Sequence, residues 1–353
     1  MIKYIGSKRV LVPAIVETIA RLPGVRTVLD LFSGTSRVGM ALKAAGYEVT
    51  ANDANAYAAC LALCYVQADR RRWAGEAQAL LAELGAVPPA AGYFTDTFCV
   101  RSRFFQPQNG ARIDAIREEI ARRRLHPELE AIALVSLLEA ADRVDSTTGL
   151  QMAYLKSWAA RSFRDLELRL PELLDGPGRA IEGDARETAG RVAADVVYLD
   201  PPYNQHSYLG NYHAWESLVR WDKPEVYGVA CKRVDCRSRQ SPFNSRRAIL
   251  GALEQVIGSL DARFLVLSFN NEGFLTEEQI VALLSTRGEV AVESFDFKRY
   301  VGAQIGVFNP SGERVGKVSH LRNRELLFVC RVTSAPRRVS RETSPPQVAG
   351  GFT

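Results

Sequence analysis

The sequence has 353 residues, of which 47% are hydrophobic and 24% charged, and its net charge is +5. No apolar run approaches the roughly 18 residues of a membrane span, and the N-terminus lacks a signal peptide's apolar centre, so we expect a cytoplasmic protein with no membrane partner. Six scattered cysteines without a CxxC pair argue against a disulfide framework and against zinc, and we expect no metal.

The stretch "RTVLDLFSGTSRVGMALKAAGYEVTAND" has the pattern of one βαβ half of a doubly wound sheet. Val28–Leu31 is predicted as a strand, Val38–Ala45 as a helix and Tyr47–Ala51 as a second strand. Asp53 follows, about twenty residues after the glycine turn, where an acid accepts hydrogen bonds from both hydroxyls of a ribose. The turn lacks the middle glycine of the GxGxxG pattern that holds a pyrophosphate. It therefore favours a nucleoside cofactor without phosphates, such as S-adenosylmethionine, although a purely structural turn remains open at this point.

The rest of the chain divides into a helical stretch and a second group of strands. Residues 69–174 show helical patterns, including "RIDAIREEIARRRL" and an apolar helix from Pro127 to about Val144. Strands are predicted in "RAIEGD", "DVVYLD", "RFLVLSFNN", "EVAVESFDF" and "ELLFVCRV", with "NPSGERVG" as a hairpin turn between the last two. We predict an α/β fold with a Rossmann-like sheet: a catalytic domain at 1–68 and 175–332, a helical insertion at 69–174 and a disordered tail at 333–353.

The basic residues are concentrated in one segment. Arg220–Arg247 contains eight basic and three acidic residues, which equals the excess of the whole chain. Glycine, serine, proline and asparagine punctuate it, so the pattern predicts a long loop that offers cations to a polyanion. The alternative is a solvated loop with no partner.

The stretch "VVYLDPPYNQ" combines a buried strand with an acid, two prolines and a tyrosine. Pro201 and Pro202 end the strand and make the following loop stiff. The lone pair of an adenine amino group is delocalised into the ring, so alkylation requires acceptors that bind its two hydrogens. Asp200 and the carbonyl of Pro201 suit this task, and Tyr203 suits stacking on a base flipped from a duplex. A Pro-Pro turn of structural purpose alone would leave the acid and the aromatic residue unexplained.

These residues carry a family resemblance. "DPPY", with "FSG" upstream and "KYIGSK" at the N-terminus, resembles the D12 class of adenine-specific DNA methyltransferases, which includes the Dam-type enzymes. The later stretches "NYHAWESLVRWDKPEVYG" and "VGAQIGVFNPSGERVGKVSHLRN" resemble the branch found in type IIS restriction-modification systems. The turn "FSGTS" departs from the family's FxGxG pattern because it has no second glycine.

The resemblance implies roles for residues at matching positions. It implies a catalytic tetrapeptide at Asp200, Pro201, Pro202 and Tyr203. It implies cofactor contacts from Tyr4, Lys8, Phe32, Ser33, Gly34, Asp53, Asp184 and Asp200. Tyr4 is expected near the cofactor's base, Asp53 at its ribose and Asp184 at its adenine amino group.

Together, the residues and the resemblance predict transfer of a methyl group from S-adenosylmethionine to N6 of a flipped adenine in double-stranded DNA. The predicted setting is a restriction-modification system, with a companion endonuclease as a further expected partner. Arg237, Arg239, Arg246 and Arg247 are the predicted phosphate contacts. Two alternatives remain: an N-methyltransferase acting on RNA or on protein glutamine, and a non-catalytic nucleic-acid-binding subunit that retains the fold.

Overall fold

A computed structural model describes residues 1–6, 8–152, 157–298, 307–308, 314–316 and 322–335. Of the predicted hairpin turn at 309–316, residues 309–313 lie outside the described residues and residues 314–316 form a strand; most of the predicted tail at 333–353 also lies outside them. The strands are β1 (Thr27–Asp30), β2 (Glu48–Asp53), β3 (Gly178–Glu182), β4 (Ala193–Leu199), β5 (Val226–Tyr227), β6 (Lys232–Arg233), β7 (Asp261–Asn270), β8 (Gly288–Lys298), β9 (Val307–Phe308), β10 (Arg314–Gly316) and β11 (Arg322–Val332). The helices are α1 (Val12–Ala20), α2 (Arg37–Ala44), α3 (Ala56–Ala62), α4 (Arg70–Gly85), α5 (Pro107–Arg123), α6 (Pro127–Arg143), α7 (Ala185–Ala189), α8 (Tyr208–Asn211), α9 (His213–Arg220), α10 (Ile249–Ser259) and α11 (Glu277–Ser285).

The central sheet has the strand order β3-β2-β1-β4-β7-β11-β8. The pairs from β3 to β7 are parallel, whereas β11 is antiparallel to both of its neighbours. The chain moves outward from β1 in one direction through β2 and β3, and in the other direction from β4, so the strand order reverses between β1 and β4. Open α/β sheets bind ligands outside the carboxyl ends of the strands at such a point. The predicted α/β fold is confirmed.

Strand β4 is covered on both faces, as its continuous apolar sequence predicts. Val196 and Tyr198 belong to the core on one side of the sheet, and Val197 and Leu199 to the core on the other side. All four side chains are at most 1% exposed. This strand, which leads into Asp200, is therefore fixed between two cores, and its last residues have little freedom to move.

The stretch 69–174 contains α4, α5 and α6. Its two ends meet, because Asp69 forms a parallel bridge with Leu174 and the Arg70 amide donates to the Leu174 carbonyl at 3.0 Å. Asp69 also caps α4 by accepting from the Arg71 amide. The apolar residues of α6 pack into the same core as β1 and β2. The two ends of this stretch therefore lie side by side.

The basic segment at 220–247 differs from the predicted long loop. It begins at the end of α9, contains the small antiparallel hairpin of β5 and β6, and has two 3₁₀ turns, Val234–Arg237 and Pro242–Asn244. Among the described residues, no helix is long and apolar enough to cross a membrane.

Candidate active site

The loops that follow β1 and β4 enclose one cavity at the reversal of the strand order. All the residues predicted to contact a cofactor line it: Tyr4, Lys8, Phe32, Ser33, Gly34, Asp53, Asp184 and Asp200. Pro202 lines the same cavity. Five separate parts of the chain therefore bring the predicted residues together.

The turn after β1 adopts a left-handed conformation at two residues. Gly34 has a φ of 50°, and the ring of Tyr4 lies 3.4 Å from where a β-carbon would be at this position. Ser36 stands where the FxGxG pattern has its second glycine, and its φ is 58°. Left-handed backbone costs an L-residue other than glycine about 1–2 kcal/mol. Ser36 therefore adopts the left-handed conformation that suits the pattern's second glycine, at this energetic cost.

Asp53 is the last residue of β2 and organises this turn. Its carboxylate accepts from the Gly34 amide at 3.0 Å, from the Asn55 amide at 3.0 Å and from Asn55 Nδ2 at 3.1 Å. Burial raises the pKa of Asp53 to about 6, although these donors oppose the shift. A carboxylate has about four acceptor sites, so capacity remains for a ligand hydroxyl.

Tyr4 is part of an aromatic group. Its ring is nearly parallel to that of Tyr208 at 5.0 Å and to that of Tyr212 at 4.6 Å, and its hydroxyl is 3.1 Å from the Tyr57 hydroxyl. The Ile5 amide donates to the Tyr212 hydroxyl at 2.6 Å. These contacts anchor the N-terminal segment to the residues that follow Tyr203.

Asp184 caps the N-terminus of α7. It accepts from the Arg186 amide at 2.8 Å and forms an ion pair with the Arg186 guanidinium at 2.7 Å. Burial opposes ionisation of Asp184, but Arg186 outweighs it and lowers the pKa of this carboxyl. A donor on the base of a nucleoside would therefore share this carboxylate with Arg186.

Lys8 connects the N-terminal segment to the loop that follows β4. Its ammonium lies 3.1 Å from Asp200 Oδ1 and 3.2 Å from Glu325 Oε2. Burial alone would lower the pKa of Lys8, but Asp200, then Tyr203 and Glu325, raise it well above its ordinary value. Burial raises the pKa of Asp200 to about 6, against the opposing effect of Lys8. At neutral pH the Lys8 ammonium thus remains charged, and the Asp200 carboxylate is largely ionised.

Tyr203 is held from several sides, and Pro201 before it is buried. The Tyr203 ring packs at 5.0 Å against Phe269, and Asn270 Nδ2 donates to the Tyr203 hydroxyl at 2.9 Å. Lys8 Nζ lies over the ring at 5.5 Å from its centroid. Burial raises the pKa of Tyr203 to about 12, so the phenol stays protonated. Its stacking on a base remains a prediction, and Lys8 occupies part of the space beside the ring.

Three residues that the sequence reasoning did not select also line the cavity. Asp30 ends β1 and is 1% exposed; Oδ2 accepts from the Gly39 amide at 3.1 Å, while Oδ1 has no partner among the described residues. Burial, with a contribution from Asp200, raises the pKa of Asp30 to about 8. Phe243 meets Phe32 edge to face at 5.0 Å. Asn244 Nδ2 donates to two carbonyls of the loop after β4, those of Asn204 at 2.8 Å and His206 at 3.0 Å.

The four predicted phosphate contacts separate into two groups. Arg237, Arg246 and Arg247 are exposed; Arg237 lies over the Tyr227 ring and Arg246 over the Phe274 ring. Arg239 instead lines the cavity and forms ion pairs with Glu216 at 3.0 Å and Asp235 at 3.3 Å. The predicted phosphate contact at Arg239 competes with these partners.

His213 is fully buried, and its Nε2 lies 2.7 Å from the Gln151 carbonyl. Burial lowers its pKa to about 3, which keeps the ring neutral. The described residues contain no group of three or more histidine, cysteine, aspartate or glutamate side chains that could hold a metal ion.

The family described as D12 class N6 adenine-specific DNA methyltransferase matches residues 4–283. The chain belongs to this family. The family resemblance predicted from the sequence is therefore confirmed.

Several type II modification enzymes are similar to this chain. The modification methylase StsI of Streptococcus sanguinis is 30% identical over 86% of this chain and 49% of StsI. The type II methyltransferase M.NlaIII of Neisseria lactamica is 29% identical over 84% of this chain and 92% of that enzyme. M.FokI of Planomicrobium okeanokoites is 29% identical over 81% of this chain and 47% of its own length. The chain thus spans about half of StsI and M.FokI and most of M.NlaIII.

Proposed function

We propose that this D12 class protein transfers a methyl group from S-adenosylmethionine to N6 of an adenine flipped out of duplex DNA. The observation that carries the proposal is the cavity at the strand reversal, where Asp200 lies with the ribose acid Asp53 and the N-terminal Lys8. Asp53 suits the ribose of the cofactor, and Asp200 suits the amino group that receives the methyl group.

The polar groups in the cavity wall fit such a cofactor. Asp30 Oδ1 and Ser33 Oγ are buried and have no hydrogen-bond partner among the described residues, and both residues line the cavity. Buried polar atoms of this kind are normally satisfied, so they suit a ligand that carries donors such as an ammonium group. Asp53 would hold the ribose, and Asp184 the base. When bound, S-adenosylmethionine supplies a methyl group on a sulfonium that needs no further activation.

Asp200 is the residue we assign to the amino group. Its carboxylate accepts hydrogen bonds from the nitrogen's hydrogens, which directs the lone pair toward the methyl carbon. As the nitrogen–carbon bond forms, the carbon–sulfur bond breaks with its electron pair on sulfur, and the nitrogen must lose a proton. A carboxyl with a pKa of about 6 is ionised at neutral pH and is basic enough to accept that proton. Pro201 and Pro202 fix the direction of the carboxylate.

The exposed cations support DNA as the substrate. Arg237, Arg246 and Arg247 project from the segment that also contributes Phe243 and Asn244 to the cavity. We assign phosphate contacts to these three residues and base recognition to the helical insertion at 69–174. Since several similar enzymes are type II methyltransferases, we propose a cytoplasmic role in restriction-modification beside a companion endonuclease.

The test is methyl transfer from radiolabelled S-adenosylmethionine to separate substrates: duplex DNA, RNA and protein. We expect label in duplex DNA and N6-methyladenine at one sequence, mapped by long-read sequencing. An Asp200→Ala variant serves as the catalytic control. Label in RNA or protein instead would favour the alternative methyltransferases, and DNA binding without any transfer would favour a non-catalytic subunit.

A further inference from the structure

Strand β11 brings one more carboxylate to the catalytic loop. Glu325 lies opposite Asn270, the last residue of β7. Because β11 is antiparallel to β7, its N-terminal end lies at the edge of the sheet where the parallel strands end. Glu325 therefore reaches the neighbourhood of Asp200 from outside the residues that match the family, 4–283.

The contacts of Glu325 are specific. Oε2 is 3.2 Å from Lys8 Nζ, and Oε1 is 3.5 Å from Nδ2 of Asn270, the residue that donates to the Tyr203 hydroxyl. The side chain of Glu325 is 16% exposed, that of Lys8 6% and that of Asp200 19%. Lys8 thus bridges two mostly buried carboxylates, and the bridge continues through Asn270 to the catalytic tyrosine.

This arrangement decides how much of the Lys8 charge acts on Asp200. With one carboxylate as partner, a buried ammonium would neutralise Asp200 and reduce its capacity to accept hydrogen bonds and protons. With two carboxylates, the ammonium is shared and the group keeps a net negative charge. That charge favours the positive charge that develops on the amino nitrogen as its new bond forms.

We propose that Glu325 is a positioning residue of the active site, which holds Lys8 between two carboxylates and so keeps Asp200 able to accept from the target amino group. The proposal rests on the proposed function and assigns Asp200 the proton that leaves the nitrogen; this proton later passes to water.

Other titratable groups face Asp200. They are Asp30 from β1, Tyr198 from β4, Tyr203 from the catalytic loop and Tyr208 from α8. The pKa values of all four are raised, mainly by burial, so they are largely uncharged at neutral pH. At neutral pH they therefore add little negative charge around Lys8.

The first test is the pH profile of single-turnover methylation at saturating DNA and S-adenosylmethionine, for the full chain and for Glu325→Gln. The isosteric change removes the charge and leaves the volume. Without Glu325, Lys8 acts on Asp200 alone and lowers its pKa, so the acidic limb should move to lower pH by about half a unit or more, and the plateau rate should fall about tenfold. Glu277→Gln is the matched control, because Glu277 pairs with the adjacent Arg324 on the surface.

A lower plateau with an unmoved acidic limb would assign Glu325 a merely structural role and overturn the proposal, as would an unchanged rate. Wild-type protein that transfers no methyl to DNA would instead overturn the proposed function, so the two failures are distinguishable.

A second measurement does not require an active variant. Lys8→Met leaves the Asp200 and Glu325 carboxylates facing each other without the cation between them, so adding Glu325→Gln removes a repulsion. The double variant should melt at a higher temperature than Lys8→Met, whereas Glu325→Gln alone should not raise the melting temperature of the wild type. An effect of the same sign in both backgrounds would show that Lys8 does not bridge the two carboxylates.

Discussion

Cofactor affinity should require the ionised carboxylate of Asp53. This carboxylate has a pKa of about 6 and already accepts from the Gly34 and Asn55 amides. An Asp53→Asn variant loses the charge and points an amide nitrogen at one of those backbone donors. Hydrogen bonds to charged groups contribute about 1.5–3 kcal/mol, so we expect S-adenosylmethionine to bind about 10- to 150-fold more weakly.

The pH dependence provides a sharper form of the same prediction. Below a pKa of about 6, wild-type protein should lose affinity by close to tenfold for each pH unit, because the protonated carboxyl is a poorer acceptor. Without ligand, the free energy of unfolding should show the opposite dependence on pH. Because the pKa of Asp53 is raised from 3.8 to about 6, the folded state binds more protons than the unfolded state between these two pH values. The contribution of Asp53 to the free energy of unfolding should therefore increase as the pH falls from about 6 to 3.8.

Isothermal titration calorimetry at pH 5, 6 and 7.5 would measure the affinity, and urea unfolding at the same pH values the stability. Asp175→Asn is the control, because Asp175 pairs with Arg70 at the surface and is not among the residues that line the cavity. Affinity in Asp53→Asn that equals the wild-type value at pH 7.5, or wild-type affinity that is flat from pH 5 to 7.5, would refute the assignment of Asp53 to the ribose.

Three other perturbations address the tetrapeptide, the basic segment and the strained turn. Tyr203→Phe loses only the hydrogen bond from Asn270 to the hydroxyl, worth about 0.5–1.5 kcal/mol, so the methylation rate should fall severalfold at most. Tyr203→Ala also removes the ring that would stack on the base, so its methylation rate should fall much further, and equal losses in the two variants would exclude the stacking account. In a plot of the logarithm of the DNA-binding constant against the logarithm of the salt concentration, neutralising Arg237, Arg246 and Arg247 together should reduce the slope by about 0.9 per lost phosphate contact. An unchanged slope would exclude all three contacts. Ser36→Gly should raise the free energy of unfolding by about 1 kcal/mol in urea titrations. The substitution removes the strain of a left-handed backbone at serine and a buried hydroxyl without a partner, and together these exceed the entropic cost of glycine. A less stable variant would contradict this.

The predictions that depended on local pattern and on the ends of parallel strands agree with the structure. The βαβ pattern predicted β1 and β2, and the apolar run before Asp200 predicted β4 with its two buried faces. Carboxyl ends of neighbouring parallel strands lie at one edge, so Asp53 and Asp200 had to come near one another. By the same rule Asp30, the acid that ends β1, could have been predicted as a residue of the site from the stretch "LDLFSG".

Residues brought in by remote segments could not be predicted in this way. The predicted hairpin makes β11 antiparallel to β8, as the structure shows, but Glu325 approaches the site only because β11 inserts between β7 and β8, and the sequence does not indicate that strand order. Phe243 and Asn244 occur in a segment without regular periodicity, so no pattern indicated that they would cover the cavity. The contacts of these residues follow from the assembled sheet and loops rather than from local propensity.

Counting charges indicated an excess of cations in the basic segment but did not show which of them are available to DNA. Glu216 is completely buried and also accepts from the Tyr57 amide, so its charge needs close partners. Arg220 and Arg239 provide them at 2.8 Å and 3.0 Å. The pair with Arg220 has the i, i+4 helical spacing and was predictable, whereas the pair with Arg239 joins two remote segments. Removing Arg239 would leave a buried carboxylate undercompensated beside the cavity, so its loss should disturb cofactor binding before it alters the salt dependence of DNA binding.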